Sequence, residues 1–205
     1  MIKNKRIVTP LGVAQYPHLI KPDTKFNELG EYKVNLIVGA DEGASLIADL
    51  EKSLQDSITL AQEKAKGKKI NTARPPYDME IDADGNETGN YVFKFKAKAN
   101  IVTKTGETFK QKVVIVDAKG KPFTPTALWG GSSIKVSAEV IPYFTAMVGA
   151  GISLRLKAVQ VINLVEGSST GGNKFGFGTE EGFEAVEEST ATEFKSDAET
   201  ETADF

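Results

Sequence analysis

Eleven consecutive residues, Tyr91-Val-Phe-Lys-Phe-Lys-Ala-Lys-Ala-Asn-Ile, constrain the fold of this chain more than any other stretch. A two-residue period puts Tyr91, Phe93, Phe95, Ala97, Ala99 and Ile101 on one face and Lys94, Lys96 and Lys98 on the other. That is a strand with one dry and one charged side. Alternating and β-branched segments of the same kind predict strands at 5–16, 31–38, 91–103, 108–117, 133–141 and 152–165. A single helix is predicted at 43–66, where Leu46, Leu50, Leu54, Ile58, Ala61 and Ala65 form an apolar stripe opposite Asp49, Glu51, Lys52 and Gln55. The fold class is therefore mainly β, a small barrel covered on one side by a surface helix.

Between helix and third strand, Lys66–Asp78 is too rich in proline and basic residues to continue the helix, and predicts a flexible basic loop bearing Lys68, Lys69 and Arg74. Asp82-Ala-Asp-Gly-Asn-Glu resembles the start of a calcium loop without its later ligands, so a tight turn is expected there. The barrel domain is expected over 1–166. A Gly-rich linker follows at 167–178, and 179–205 reads as a disordered acidic tail. The tail holds ten carboxylates against Lys195, a net −9, and the remainder of the chain holds 24 basic and 18 acidic residues, a net +6. A basic body joined to an acidic tail points to an anionic partner for which the tail can compete.

Much enzyme chemistry is excluded. There is no cysteine, and His18 is the one histidine, so neither thiolate nucleophiles nor zinc clusters can be built. No catalytic residue, metal or cofactor is expected. No apolar run is long enough for a membrane helix, and the N-terminus lacks the apolar core of a secretory signal, so an intracellular protein is expected.

Lys94, Lys96 and Lys98 suit a phosphate track, because their mutual repulsion falls when a polyanion runs past them. Lys110, Lys112, Lys135, Arg155 and Lys157 on neighbouring predicted strands extend the charge. A sequence-tolerant binder of single strands also needs aromatic surfaces for stacking. Tyr143 and Phe144 after Pro142 are the leading candidates, with Tyr77 and Tyr16 also at strand or loop ends. Trp129 is expected to be structural, since large rings usually bury their area. Two other readings compete. One is a protein-binding assembly module with a solubilising tail. The other is a nuclease, which needs a carboxylate cluster for magnesium, whereas Asp78, Asp82 and Asp84 fall in turn chemistry.

Taken in order, Lys21-Pro-Asp, Tyr32-Lys-Val, Gly67-Lys-Lys, Phe93-Lys-Phe-Lys, Val116-Asp-Ala-Lys-Gly-Lys, Gly130-Gly-Ser-Ser-Ile-Lys-Val, Pro142-Tyr and Val148-Gly-Ala, with a terminal Asp204-Phe205, resemble the single-stranded DNA-binding proteins of podoviruses. The resemblance implies an oligonucleotide-binding (OB) Greek-key barrel, a homodimer, and a role in DNA replication, recombination and repair in the cytoplasm of an infected bacterium. It implies that Lys3, Lys94 and Lys96 meet phosphate and that Tyr143 stacks on a base. It further implies that the tail lies over the DNA cleft when DNA is absent, and that Asp204 and Phe205 anchor it to the phage DNA polymerase and primase-helicase. Leu29 and Lys98 stand where relatives carry an arginine and an aromatic, which implies DNA contacts that lean on charge.

Overall fold

The computed structural model describes residues 4–65, 70–103 and 105–165. Along the chain run β1 (Lys5–Val8), β2 (Gly12–Asp23), β3 (Glu31–Val38), α1 (Ala40–Ala65), β4 (Tyr77–Ile81), β5 (Glu87–Lys98), β6 (Asn100–Val102), β7 (Thr108–Lys110), β8 (Val114–Val116), β9 (Ser133–Thr145) and β10 (Gly149–Asn163). The fold is mainly β with one helix, as the alternation predicts.

Five strands close on themselves in the order β9-β2-β3-β5-β10 and back to β9. Every pairing in this circuit is antiparallel except the short β5–β10 contact, which is parallel through Leu154 opposite Phe95 and Arg155 opposite Lys96. Closure leaves one dry interior, filled by Val34, Leu36, Phe93, Phe95, Ile134, Val136, Val140, Leu154 and Val159. Each such side chain contributes about 1.5–3 kcal/mol by leaving water. The helix lies across β10, β9 and β5. Its first turn carries Asp41 and Glu42, whose charges suit the positive end of the helix dipole. Leu46, Leu50 and Ala61 of the expected stripe are buried. Ser57, buried on the same face, has its hydroxyl within hydrogen-bonding distance of the carbonyl oxygens of Tyr143 (3.1 Å) and Gly151 (3.0 Å).

Several boundaries differ from the sequence expectation, each for a physical reason. The segment 5–16 is two strands that follow one another along β9, interrupted at Pro10, which has no N–H to give the ladder. The side chain of Thr9 bridges the gap, its Oγ1 accepting from the Val136 N–H at 2.9 Å. The strand expected at 91–103 runs instead from Glu87 to Lys98. After it Ala99 donates to the carbonyl of Gly30, and the chain leaves the barrel to form a two-stranded arm, β6 with β7. Ile101, expected on the dry face, is consequently 36% exposed. The strand expected at 108–117 divides into β7 and β8, while β9 continues through Pro142 to Thr145. The end of the expected basic loop is strand β4, which pairs with β5. Asp82 makes the expected turn, its carboxylate accepting from the N–H groups of Asp84 and Asn86. The linker, the tail, Lys3, Lys68 and Lys69 lie outside the described residues.

Candidate nucleic-acid interface

Because β3 and β5 run antiparallel in register, the residues facing outward on each are direct neighbours: Lys98 stands opposite Glu31, Lys96 opposite Lys33, and Lys94 opposite Asn35. On the other side of β5, Arg155 of β10 is level with Lys96. Lys33, Lys96 and Arg155 thus form a row across three strands, about 4.8 Å apart in the hydrogen-bonding direction. Lys157, two residues beyond Arg155, lines a cavity of about 300 Å³ with Lys112, which carries the positive surface toward β8.

Carboxylates thread this surface and hold some of its cations. Asp78 Oδ2 is 2.5 Å from Lys94 Nζ, and Asp78 Oδ1 is 2.6 Å from Arg74 Nη2. Partial burial works against ionisation of Asp78, but hydrogen bonds from Lys94 and Arg74 outweigh it and hold the carboxyl below its ordinary value. Lys33 pairs with Asp23 at 2.5 Å. The hydrogen bond from Lys33, helped by the Lys25 backbone N–H, holds the Asp23 carboxyl below its ordinary value as well. Glu139 sits among three cations, Arg6 at 3.6 Å, Lys157 at 3.7 Å and Arg155 at 3.9 Å. Among the described residues, Lys96 and Lys98 have no carboxylate within 4.0 Å. Lys110, Lys112 and Lys135 are likewise without such a partner among the described residues, whereas Lys94 of the same β5 stripe is held by Asp78.

Tyr143 faces outward on β9, opposite Gly151. A Cβ on Gly151 would come within 2.7 Å of the Tyr143 ring and 2.8 Å of the Ala73 methyl, so only glycine lets the ring lie on the strand at this point. Arg74 follows Ala73, which brings Tyr143, Arg74 and Lys94 to one end of the basic surface. Phe144, 40% exposed, points the other way, since neighbours on a strand alternate. Lys110 is exposed on the β6–β7 arm, opposite Asn100. Lys33, Arg6 and the carboxylate partner Glu139 were absent from the expected site. Lys33 could have been found from the alternation in Tyr32-Lys-Val, but its position beside Lys96 depends on register.

On the far side of β3 lies a cleft of about 820 Å³ that the sequence expectation missed. Val13, Ile37 and Ala127 line it, together with Tyr16, His18 and Trp129. Trp129 is 57% exposed, which corrects the expectation that it is a structural ring with its area buried. The turn carrying it bends outward around Gly131, whose φ of +92° few other residues adopt.

The model of the family described as "Single-stranded DNA-binding protein, Bacteriophage T7" matches residues 11–164. A single-stranded DNA-binding protein of Enterobacteria phage T3 is 29% identical over 226 residues, covering 98% of this chain and 96% of the relative. One of Escherichia phage T7 is 30% identical over 202 residues, covering 90% and 84%. Among solved structures, gp2.5, a single-stranded DNA-binding protein encoded by bacteriophage T7, superposes with a TM-score of 0.69 at 27% identity, over 90% of this chain and all of that one. The single-stranded DNA-binding protein of bacteriophage Enc34, solved in complex with single-stranded DNA, shares the fold with a TM-score of 0.54 at 16% identity, over 78% and 88%. All of these relatives are described as single-stranded DNA-binding proteins. Among the described residues, no group of three or more His, Asp or Glu side chains is placed to hold a metal ion.

Proposed function

Because the chain belongs to the family of T7-type bacteriophage single-stranded DNA-binding proteins, we propose that its barrel coats unpaired DNA without sequence preference during phage replication and recombination, in the cytoplasm of the infected cell. The observation that carries this reading is the row Lys33–Lys96–Arg155, continued along β5 by Lys94 and Lys98. A polyanion laid across it neutralises like charges that the barrel holds a strand-spacing apart. Lys112 and Arg74 extend the track at its two ends, Tyr143 stacks on a base beside Arg74, and Lys110 reaches the strand from its arm. Lys3, Lys68, Lys69 and Phe144 supplement these contacts.

The barrel is read as an OB fold. In support, its five strands taken in chain order pair 1-2-3-5-4 and back to 1, with strands three and five parallel. The protein acts as a homodimer of 1–166 domains. Its tail, residues 179–205, competes with DNA for the basic face and, once displaced, presents Asp204 and Phe205 to the phage DNA polymerase and primase-helicase. A linker of the length of 167–178 keeps tail and face at an effective concentration up to the millimolar range, so weak contacts suffice for this competition.

Fluorescence anisotropy with single- and double-stranded oligonucleotides across a salt series tests the reading. Full-length protein should prefer the single strand, with affinity falling steeply as salt rises. Removing 179–205 should tighten single-strand binding and weaken capture of the polymerase. Equal affinity for the two DNA forms would refute single-strand specificity, and unchanged affinity after truncation would refute shielding.

A further inference from the structure

We infer that the cleft between β2 and the 126–131 turn receives unpaired bases, with Trp129 and Tyr16 as its stacking surfaces; this rests on the DNA-binding reading above and adds to it a second, aromatic subsite. The first argument is the cost of keeping these rings where they are. The Trp129 N–H donates to the Val165 carbonyl at 2.9 Å, and its own carbonyl accepts from the Ser132 hydroxyl at 2.8 Å. Its backbone is held at both ends while the residue is 57% exposed. The point from which the ring projects is therefore fixed before a ligand arrives, which lowers the ordering cost of binding. Tyr16 is 70% exposed and has a φ of +50°, the one non-glycine residue with positive φ among those described. The left-handed conformation costs a residue with a Cβ roughly 1–2 kcal/mol. It coincides with a register jump between Gln15 and His18, where β2 bulges away from β3 and turns the phenol out of the barrel. Neither ring repays the fold by burial.

The second argument is the chemistry on either side of β3. The cleft floor is apolar, formed by Val13 and Ile37, which stand opposite each other. Its rim toward β3 is polar: Asn35 Nδ2 donates to Gln15 Oε1 at 3.3 Å, and His18 stands opposite Lys33. Asn35 and Lys33 are in turn opposite Lys94 and Lys96. An apolar slot with aromatic walls therefore lies about 10 Å, two strand spacings, from the β5 cation track. Single-stranded DNA has the matching asymmetry, a continuous anionic backbone on one side and flat apolar faces on the other. A peptide's apolar side chain would fill the slot without using the neighbouring cations.

Trp129 is the sole tryptophan of the chain, so its emission reports this cleft alone. Full-length protein is titrated with fluorescein-labelled oligothymidylate and with an abasic strand of equal length, reading anisotropy and tryptophan emission in parallel. Oligothymidylate should quench the emission with the same midpoint as the anisotropy curve, and the abasic strand should bind without quenching. Trp129→Ala should weaken oligothymidylate binding about 5- to 150-fold and leave abasic affinity unchanged, with Trp129→Phe restoring most of the loss. Normal anisotropy binding with unquenched emission and an unaffected Trp129→Ala variant overturns the cleft and leaves the DNA-binding reading standing. Equal quenching by the abasic strand also overturns the cleft, because it then senses something other than a base. Absence of binding to either strand overturns the DNA-binding reading and the cleft with it.

Discussion

The two flanks of β3 solve different problems with the same scaffold. On the β5 side, charge is carried by the outward half of a regular strand, and the inward half, Phe93, Phe95 and Ala97, pins it to the core. On the β2 side, the ladder is broken, a tyrosine is held in a disfavoured conformation, and a tryptophan projects from a turn. The first surface costs the fold almost nothing, because exposed lysines on a strand are already solvated. The second depends on departures from regularity, and such departures persist only where the surrounding structure imposes them. On the proposed reading, a repetitive ligand backbone is met by a periodic surface, and separate flat bases are met by an irregular one.

Paired substitutions sharpen that contrast. Among substitutions outside the cleft, the largest expected effect is on the periodic side: Lys96→Ala with Lys98→Ala should lower single-strand affinity on the order of 50-fold at 50 mM salt and flatten the log–log salt slope by about 1.4. Trp129→Ala, in contrast, should leave that slope unchanged, so a flattened slope in the tryptophan variant would break the separation of the two flanks. Next comes Asp78→Asn, which releases Lys94 and Arg74 from their shared carboxylate. Single-strand affinity should rise by up to about tenfold with a steeper salt slope; a weaker or equal affinity would mean that Asp78 positions these cations for DNA and does not compete with it.

The same carboxylate has a pH signature. Its pKa is depressed in the folded state, so its contribution to stability is complete above the ordinary Asp value of about 3.9 and is lost as pH falls through the depressed value. The stability difference between wild type and Asp78→Asn, followed by urea unfolding, should therefore be constant from neutral pH down to about 4 and shrink below it. The smallest effect belongs to Tyr16→Gly, which removes the backbone strain along with the ring. It should raise the unfolding free energy by about 0.5–1 kcal/mol while weakening binding to oligothymidylate. A loss of stability would show that the phenol supports the fold after all.

The lysine stripe, the buried face of β5, the stripe of α1 and the Asp82 turn were legible in the sequence because each is written in a local period or a local turn chemistry. Lys33, Arg6 and Glu139 were not, since their places beside Lys96 and Arg155 follow from register between strands far apart in the chain. Nor could local propensity reveal β4, whose pairing partner lies across a turn from two prolines and a basic stretch. Trp129 was misjudged by a rule about average burial, which holds for rings that tertiary contacts enclose and fails for one whose turn is tied down through its main chain, by the Val165 carbonyl and the Ser132 hydroxyl.

By itself, then, the order of residues determined which side of each strand is dry, where the charge divides, and the family to which the chain belongs, because period and motif are properties of neighbours. Only the closed barrel decided which cations share a row, which are held by carboxylates, and that an aromatic cleft opens beside them. Those depend on the register of hydrogen bonds between distant segments, and no single segment contains that information.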